Sequence, residues 1–351
     1  MNERKQFPLS RRALPRALPT DPSGLVEYHD EVDSVPLLML CPRFDGLVLT
    51  RWLGENGPLL RELVTRSGAV LLRGFSDPSA EALSAGLSTL GDGRGPEAYV
   101  NRSTPRLSVG GNIYTATEYP ADRVIPPHNE MSYTARWPLF LGLMCVQPAE
   151  TGGETPIYDS RKVLAAIPQE VREAFERHGV LYLRTLAPGI DLPWQEVFQL
   201  DDPVAVEAFC NEQNIRCDWL DRDTLRIAEC HPAVRRHPRT REEVWFNQAH
   251  LFHHLALGHG TARVLSSAVG ADRLPRDAQF GDGTAIPADM LEAVKAAYAA
   301  SAMSFFWQPG DMLLLDNMMF AHARNSYGGK RRVLAGMTAF VDGVRLEDFD
   351  R

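Results

Sequence analysis

Apolar positions change their period several times along the chain. Residues 57–67 (GPLLRELVTRS) put Leu59, Leu60, Leu63 and Val64 on one side of a helical turn, which predicts an amphipathic helix. Residues 69–75 (AVLLRGF) are apolar nearly throughout and predict a short buried strand. Ser76-Asp77-Pro78 predicts a helix start and Gly91 its stop. Residues 141–147 are strand-like, Pro168 opens a helix that ends at Gly179, and 180–186 return as a strand. Asp202-Pro203 starts another helix, 215–219 and 224–228 predict a hairpin, and Pro287 opens an Ala-rich helix to about residue 300. Beyond it, 302–307, 312–315, 319–324 and 332–340 all read as strands. Strands dominate near residue 140 and after 300, with helices at the front and in the middle. That order predicts a mostly β protein with helical insertions, a sandwich or jelly roll rather than a doubly wound sheet.

Composition narrows the classes. The longest strictly apolar runs, such as 139–146, fall far short of the ~18 residues a membrane span needs. A net charge of −8 disfavours a nucleic-acid partner, and no G-x-G-x-x-G or Walker loop is present. Five cysteines, at 41, 145, 210, 217 and 230, do not make a disulfide framework and suggest a reduced, cytoplasmic setting. Residues 1–24 read as an extended basic arm, because residues 1–21 hold five Lys/Arg against two acids and no apolar leader follows. Residues 25–351 show no composition break. They read as a single domain carrying a helical or lid insertion at roughly 160–300.

Candidate chemistry rests on the ten histidines. Non-haem Fe(II) oxygenases hold iron with two His and one carboxylate on one face of the metal. A His-x-Asp/Glu tripeptide suits this, since residues i and i+2 of a strand point the same way. With ten His and 45 acids, chance alone suffices to make such a tripeptide, and there are two: His29-Asp30-Glu31 and His128-Asn129-Glu130. His29 lies in a polar stretch and reads as solvated. His128 follows Pro126-Pro127 and precedes the apolar run at 139–146, at the rim of a core sheet. Near the end, 310-GDMLLLDNMMFAHARNSYGGKRRVLAGM-337 reads as three strands. A hairpin centred near Tyr327 would set His322 opposite Arg332 on one face, a guanidinium beside a metal ligand. A planar fork there suits a carboxylate ligand that spans the two.

The stretches 126-PPHNEMSYTARWP-138, 152-GGETPIYDSR-161, 243-EVWFNQAHLFHH-254 and 310–337 resemble the Fe(II)/2-oxoglutarate dioxygenases of the taurine dioxygenase and clavaminate synthase-like superfamily. The subgroup most resembled is the one typified by the syringomycin-pathway aspartyl hydroxylase. The resemblance implies a double-stranded β-helix, a distorted jelly roll, with Fe(II), 2-oxoglutarate as co-substrate and O₂. It makes His128, Glu130 and His322 the catalytic iron ligands, and Thr155 and Arg332 the residues that hold 2-oxoglutarate, with Arg331 the rival of Arg332. Alternation along a strand turns Arg331 outward if Arg332 points in. Where taurine dioxygenase has a sulfonate-binding Arg, four residues after the co-substrate Arg, this chain has Gly336, so a sulfonate is not expected. Glu130 fills the position that is small in related halogenases, which disfavours halogenation.

The implied activity is hydroxylation of an unactivated C–H of an amino acid, free or tethered to a carrier protein, in specialised metabolism. Desaturation, epoxidation or cyclisation at the same iron, or a silent ligand-binding relative, stay open. Arg106, Thr115, Glu118, Trp245, Asn247 and Gln248 are candidate substrate contacts, each with an ordinary structural reading beside it. Trp245, Phe246, Phe306 and Trp307 read as core or pocket wall. His250, His253, His254 and His259 form the densest cluster, read as packing or substrate contact rather than a second metal site. Cys210, Cys217, Cys230 and His231 have no zinc-knuckle spacing, and His178, His231 and His237 read as ordinary surface or packing residues.

Overall fold

The largest sheet has eight strands in the order Val26–His29, Leu38–Pro42, Ala69–Leu72, Met312–Asp316, Arg136–Gln147, Arg332–Asp342, Ile113–Thr115 and Ser108–Gly110. In this computed structural model the described residues are 18–98, 107–116, 119–189, 191–258 and 273–343, with 260, 264, 267 and 270. Most of the expected basic arm, together with Arg106, Glu118 and His259, lies outside them. Neighbouring strands are antiparallel except Leu38–Pro42 beside Ala69–Leu72. The central strands read as unbroken apolar runs because both faces are covered, and every residue of Ala69–Leu72 and Met312–Asp316 is buried.

One face is covered by helices. Gly142 and Gly336 are register partners on adjacent strands. A Cβ on Gly142 would lie 2.8 Å from Leu83 Cδ1, and one on Gly336 would lie 2.6 Å from Leu87 Cδ1. The missing side chains make the flat patch on which helix Ala80–Leu90 rests. That helix starts at Ser79, whose hydroxyl accepts the Ala82 N–H at 3.2 Å, and ends at Gly91.

The other face meets a four-stranded sheet, in the order Ala302–Met303, Ile157–Asp159, Phe320–Arg324 and Ile125–His128. The two sheets enclose the interior of a distorted jelly roll. Between residues 160 and 301 the described residues build four helices of seven or more residues, Ser160–Ala166, Gln169–His178, Pro203–Glu212 and Ala288–Ser301, and a separate antiparallel sheet, Arg216–Trp219, Leu225–His231, Val180–Leu186 and Arg276–Phe280. This part has apolar clusters of its own, one around Phe175 and Trp245 and one around Trp194 and Phe198.

Two expectations fail here. Residues 302–307 form a strand only at Ala302–Met303. Beyond it, side chains take the backbone's hydrogen bonds: the Phe306 N–H donates to Asp33 and its carbonyl accepts from Arg73. Phe306, read as core or wall, is 67% exposed. The strands carrying His322 and Arg332 do not form a hairpin. Phe320–Arg324 belongs to the smaller sheet and Arg332–Asp342 to the larger, and the chain crosses between them, with Tyr327–Gly328 pairing with Thr151–Gly152 on the way.

Candidate active site

His128 ends its strand directly across from His322, with which it is in register. Their rings sit 4.3 Å apart between centroids. Ile125–His128 is the edge of its sheet, the position where two consecutive prolines cost no ladder hydrogen bond. His128 Nδ1 lies 2.9 Å from the Pro126 carbonyl. A carbonyl only accepts, so Nδ1 carries the proton and Nε2 the lone pair, the form that ligates a metal.

Glu130 is not on the strand, so the i, i+2 reasoning does not explain its direction. The strand stops at His128 and the chain turns, with Met131 at φ 57°. Asn317 holds that turn. The Glu130 N–H donates to Asn317 Oδ1 at 2.7 Å, and Asn317 Nδ2 donates to the carbonyls of Glu130 and Pro138, each at 2.9 Å. Asn129 Nδ2 donates to the Asn317 carbonyl at 2.7 Å, and Gln248 Nε2 to the Asn129 carbonyl at 2.7 Å. One ligand atom each from His128, Glu130 and His322 then lies within 4.8 Å of the others. Two imidazole nitrogens and one carboxylate on a common face are the donor set of a non-haem iron site with open positions.

On one side of this triad a narrow cavity runs between the sheets, lined by Thr155, Arg324, Arg331, Val333 and Ala335. Arg331 reaches into it, and Arg332 is exposed. The expected inward position of Arg332 is therefore corrected. Positions 331, 333 and 335 face in, and with no hairpin at Tyr327 nothing sets Arg332 across from His322. Counted from Arg331, the position four residues on is Ala335, which lines the cavity, whereas Gly336 faces helix Ala80–Leu90. Arg331 Nε donates to the Gly153 carbonyl at 2.9 Å, and Nη2 to Thr155 Oγ1 at 3.3 Å. Thr155 Oγ1 also accepts Trp307 Nε1 at 3.0 Å. Burial, then the neighbouring Arg324, pulls the Arg331 guanidinium down to about 10. Arg324 donates to the carbonyls of Tyr119, Pro120 and Arg123. Among the described residues, neither guanidinium has a carboxylate within salt-bridge range.

On the other side a cavity of about 590 Å³ opens from His128 and Glu130. Gln248, Leu251, Phe252, His253, His254 and Arg276 are among its walls. Among the candidate substrate contacts within the described residues, only Gln248 lines this cavity. Trp245 is fully buried against Phe175, with ring centroids 5.1 Å apart. Asn247 donates to the Ala233 carbonyl and accepts the Ala249 N–H, which fixes the start of a short helix. Thr115 accepts the Leu107 N–H on the penultimate strand of the large sheet and lines neither cavity.

The remaining histidines separate clearly. His29 ends an edge strand and is exposed. His237, read as surface or packing, is fully buried, with Nε2 2.9 Å from Asp316. His250 is buried and its Nε2–H donates to the Pro127 carbonyl at 2.9 Å. Burial pushes its imidazole down to about 4, so it is neutral and braces the chain just before His128. Among the described residues no cysteine joins a metal-capable group. The polar pair Asp316-Asn317, interrupting an apolar run, was the available signal for the missed residue Asn317.

Residues 37–338 match the family model described as taurine catabolism dioxygenase TauD, TfdA family. The chain belongs to the TauD/TfdA dioxygenase family. It is a non-haem iron, 2-oxoglutarate-dependent dioxygenase, and the donor set of His128, Glu130 and His322 fits that metal. It is 38% identical over 283 residues to the dapdiamide synthesis protein DdaC of Enterobacter agglomerans, covering 81% of this chain and 84% of that one. It is 30% identical over 318 residues to a clavaminate synthase-like protein of Arabidopsis thaliana, covering 87% and 90% of the two chains. The PvcB protein of Pseudomonas aeruginosa shares the fold, with a TM-score of 0.54, 15% identity and coverage of 93% and 94%. No helix among the described residues is long and apolar enough to cross a membrane.

Proposed function

We propose that this dioxygenase hydroxylates an unactivated C–H bond of an amino acid, free or tethered to a carrier protein, in specialised metabolism. The observation that carries the reading is the placement of His128, Glu130 and His322 between two different cavities. The narrow one holds the buried Arg324 and half-buried Arg331 guanidiniums and suits a small dianion. The wide one suits a substrate.

His128, Glu130 and His322 would hold the iron. Bound there with 2-oxoglutarate, iron supplies the O₂ activation that attack on an unactivated C–H requires. Arg331 and Thr155 take the roles expected of Arg332 and Thr155: the guanidinium pairs with the far carboxylate of 2-oxoglutarate, and the hydroxyl, held by Trp307, orients it. Ala335 leaves no cation where a sulfonate would need one, which favours a substrate of another class. Gln248 ties one wall of the wide cavity to the turn that aims Glu130, so substrate contact and ligand position share a residue. The identity with a dapdiamide synthesis protein supports a place in a biosynthetic pathway.

The test loads anaerobic protein with Fe(II) and 2-oxoglutarate. A weak charge-transfer absorbance is expected, then succinate on adding O₂. Both signals surviving in His128→Ala and His322→Ala would sink the iron assignment. With candidate amino acids, free and carrier-bound, the product mass decides the outcome: a gain of one oxygen for hydroxylation, a loss of two hydrogens for desaturation or ring closure.

A further inference from the structure

Beside the wide cavity lies a second group of metal-ligating side chains, two of which, His253 and His254, are in its wall. His253, His254 and Asp277 each bring a ligand atom within 4.8 Å of the other two. Local structure builds the group firmly. The short helix Ala249–Phe252 stops at His253, whose ψ of 132° turns the chain into a single 3-10 turn from His254 to Leu257. At that junction the two consecutive rings stack, with centroids 4.3 Å apart and planes at 27°. Asp277 lies on strand Arg276–Phe280, paired with Leu183 of the neighbouring strand. Its Oδ1 accepts the His254 backbone N–H at 3.1 Å and faces the His254 Nδ1 at 2.9 Å. The carboxylate is thus fixed by a sheet, and the rings by the turn that it clamps.

Adjacent ligands on a tetrahedral ion with bonds of ~2.1 Å lie ~3.4 Å apart, so the 2.9 Å between His254 Nδ1 and Asp277 Oδ1 needs to open only slightly to admit one. We propose that His253, His254 and Asp277 form a second divalent-cation site, for an ion of the Zn²⁺ or Co²⁺ type that accepts imidazole with one carboxylate. Binding replaces the proton held between His254 and Asp277, which leaves to solvent as the ion enters. Three protein ligands leave coordination positions open. His253 and His254 line the cavity that also holds His128 and Glu130, so an ion there would give an amine or carboxylate of the substrate a second anchor. That role rests on the wide cavity being the substrate's; the binding site itself does not.

The experiment counts Zn²⁺ bound by the full chain after equilibrium dialysis against the metal alone. Wild type is expected to hold two ions per chain. Asp277→Asn and His254→Gln are each expected to hold one while keeping the anaerobic Fe(II)/2-oxoglutarate absorbance, which also reports that they fold. His128→Ala is expected to hold one, and the His128→Ala/Asp277→Asn double variant none. A single ion per chain in wild type, lost in His128→Ala, overturns the second site and leaves the triad standing. Two ions retained in both Asp277→Asn and His254→Gln overturn it as well. Two ions retained in His128→Ala, with one in Asp277→Asn, would instead count against the triad.

Discussion

Asn317 and Glu130 exchange two backbone-directed hydrogen bonds, Glu130 N–H to Asn317 Oδ1 at 2.7 Å and Asn317 Nδ2 to Glu130 O at 2.9 Å, although 187 residues separate them. The pair closes the turn that points the only carboxylate of the triad at its two histidines. Asn317→Ala leaves buried peptide groups unsatisfied, which costs about 1–3 kcal/mol for each such group. Loosening the ligand should weaken Fe(II) binding by about 10–100-fold, the range for partners that orient metal ligands. Fe(II) titration under anaerobic conditions checks this. Unchanged affinity in a folded Asn317→Ala would mean that the turn holds Glu130 without it.

Arg331 and Arg332 make a sharper comparison, because these neighbours at the start of strand Arg332–Asp342 face opposite ways. Arg331 lines the narrow cavity and bonds Gly153 and Thr155, while Arg332 is exposed. Removing a charge-assisted partner of a carboxylate costs about 1.5–3 kcal/mol. Arg331→Ala should therefore raise the 2-oxoglutarate requirement by about 10–150-fold, and Arg332→Ala should leave it near wild type. Succinate formation against 2-oxoglutarate concentration separates the two. The reverse ranking would return the role to Arg332.

Legibility followed the range of the interactions. The helix over 57–67 and the ends of helix Ala80–Leu90 were readable because apolar period and capping residues are local signals. His128 and His322 were readable through the resemblance, and the structure sets them in register. Whether Arg331 or Arg332 turns inward was not, since it depends on which sheet each flanking strand joins. The expected i, i+2 geometry for Glu130 failed because a strand end was followed by a turn that a residue far along the chain completes. Trp245 looked like a pocket residue beside Asn247 and Gln248, yet only Gln248 faces the cavity. Burial of a side chain says little by itself about whether it faces a core or a cavity.

Arg73 and Asp311 form a bidentate pair, Nε to Oδ1 at 2.9 Å and Nη2 to Oδ2 at 2.7 Å, with the Asp311 side chain fully buried. Asp311 also accepts the Gln308 N–H, so the pair fixes the turn into the central strand that leads to Asn317. Deleting one partner strands a buried charge, at a cost of about 3–5 kcal/mol. Arg73→Ala is expected to lose about that much in urea unfolding, where its midpoint should fall well below wild type. A loss under ~1 kcal/mol, the usual scale for exposed pairs, would show that water reaches Asp311.

His250 gives a dependence on pH with a definite sign. Burial holds its imidazole at about 4, below the ordinary 6.5. The unfolded chain therefore binds more protons than the folded one between those values, and stability rises with pH across that window. The contribution is complete above pH 6.5 and is lost as pH falls toward 4. Its full size is ~3 kcal/mol, from a difference of about 2.5 between the two values. His250→Phe removes the titration together with the bond to the Pro127 carbonyl. The variant should be less stable than wild type at pH 7, and the gap should narrow steadily toward pH 4. Urea unfolding of both proteins at several pH values checks this, since carboxylates common to the two cancel in the difference. Parallel curves would mean that His250 is not held neutral, and that water reaches the segment bracing His128.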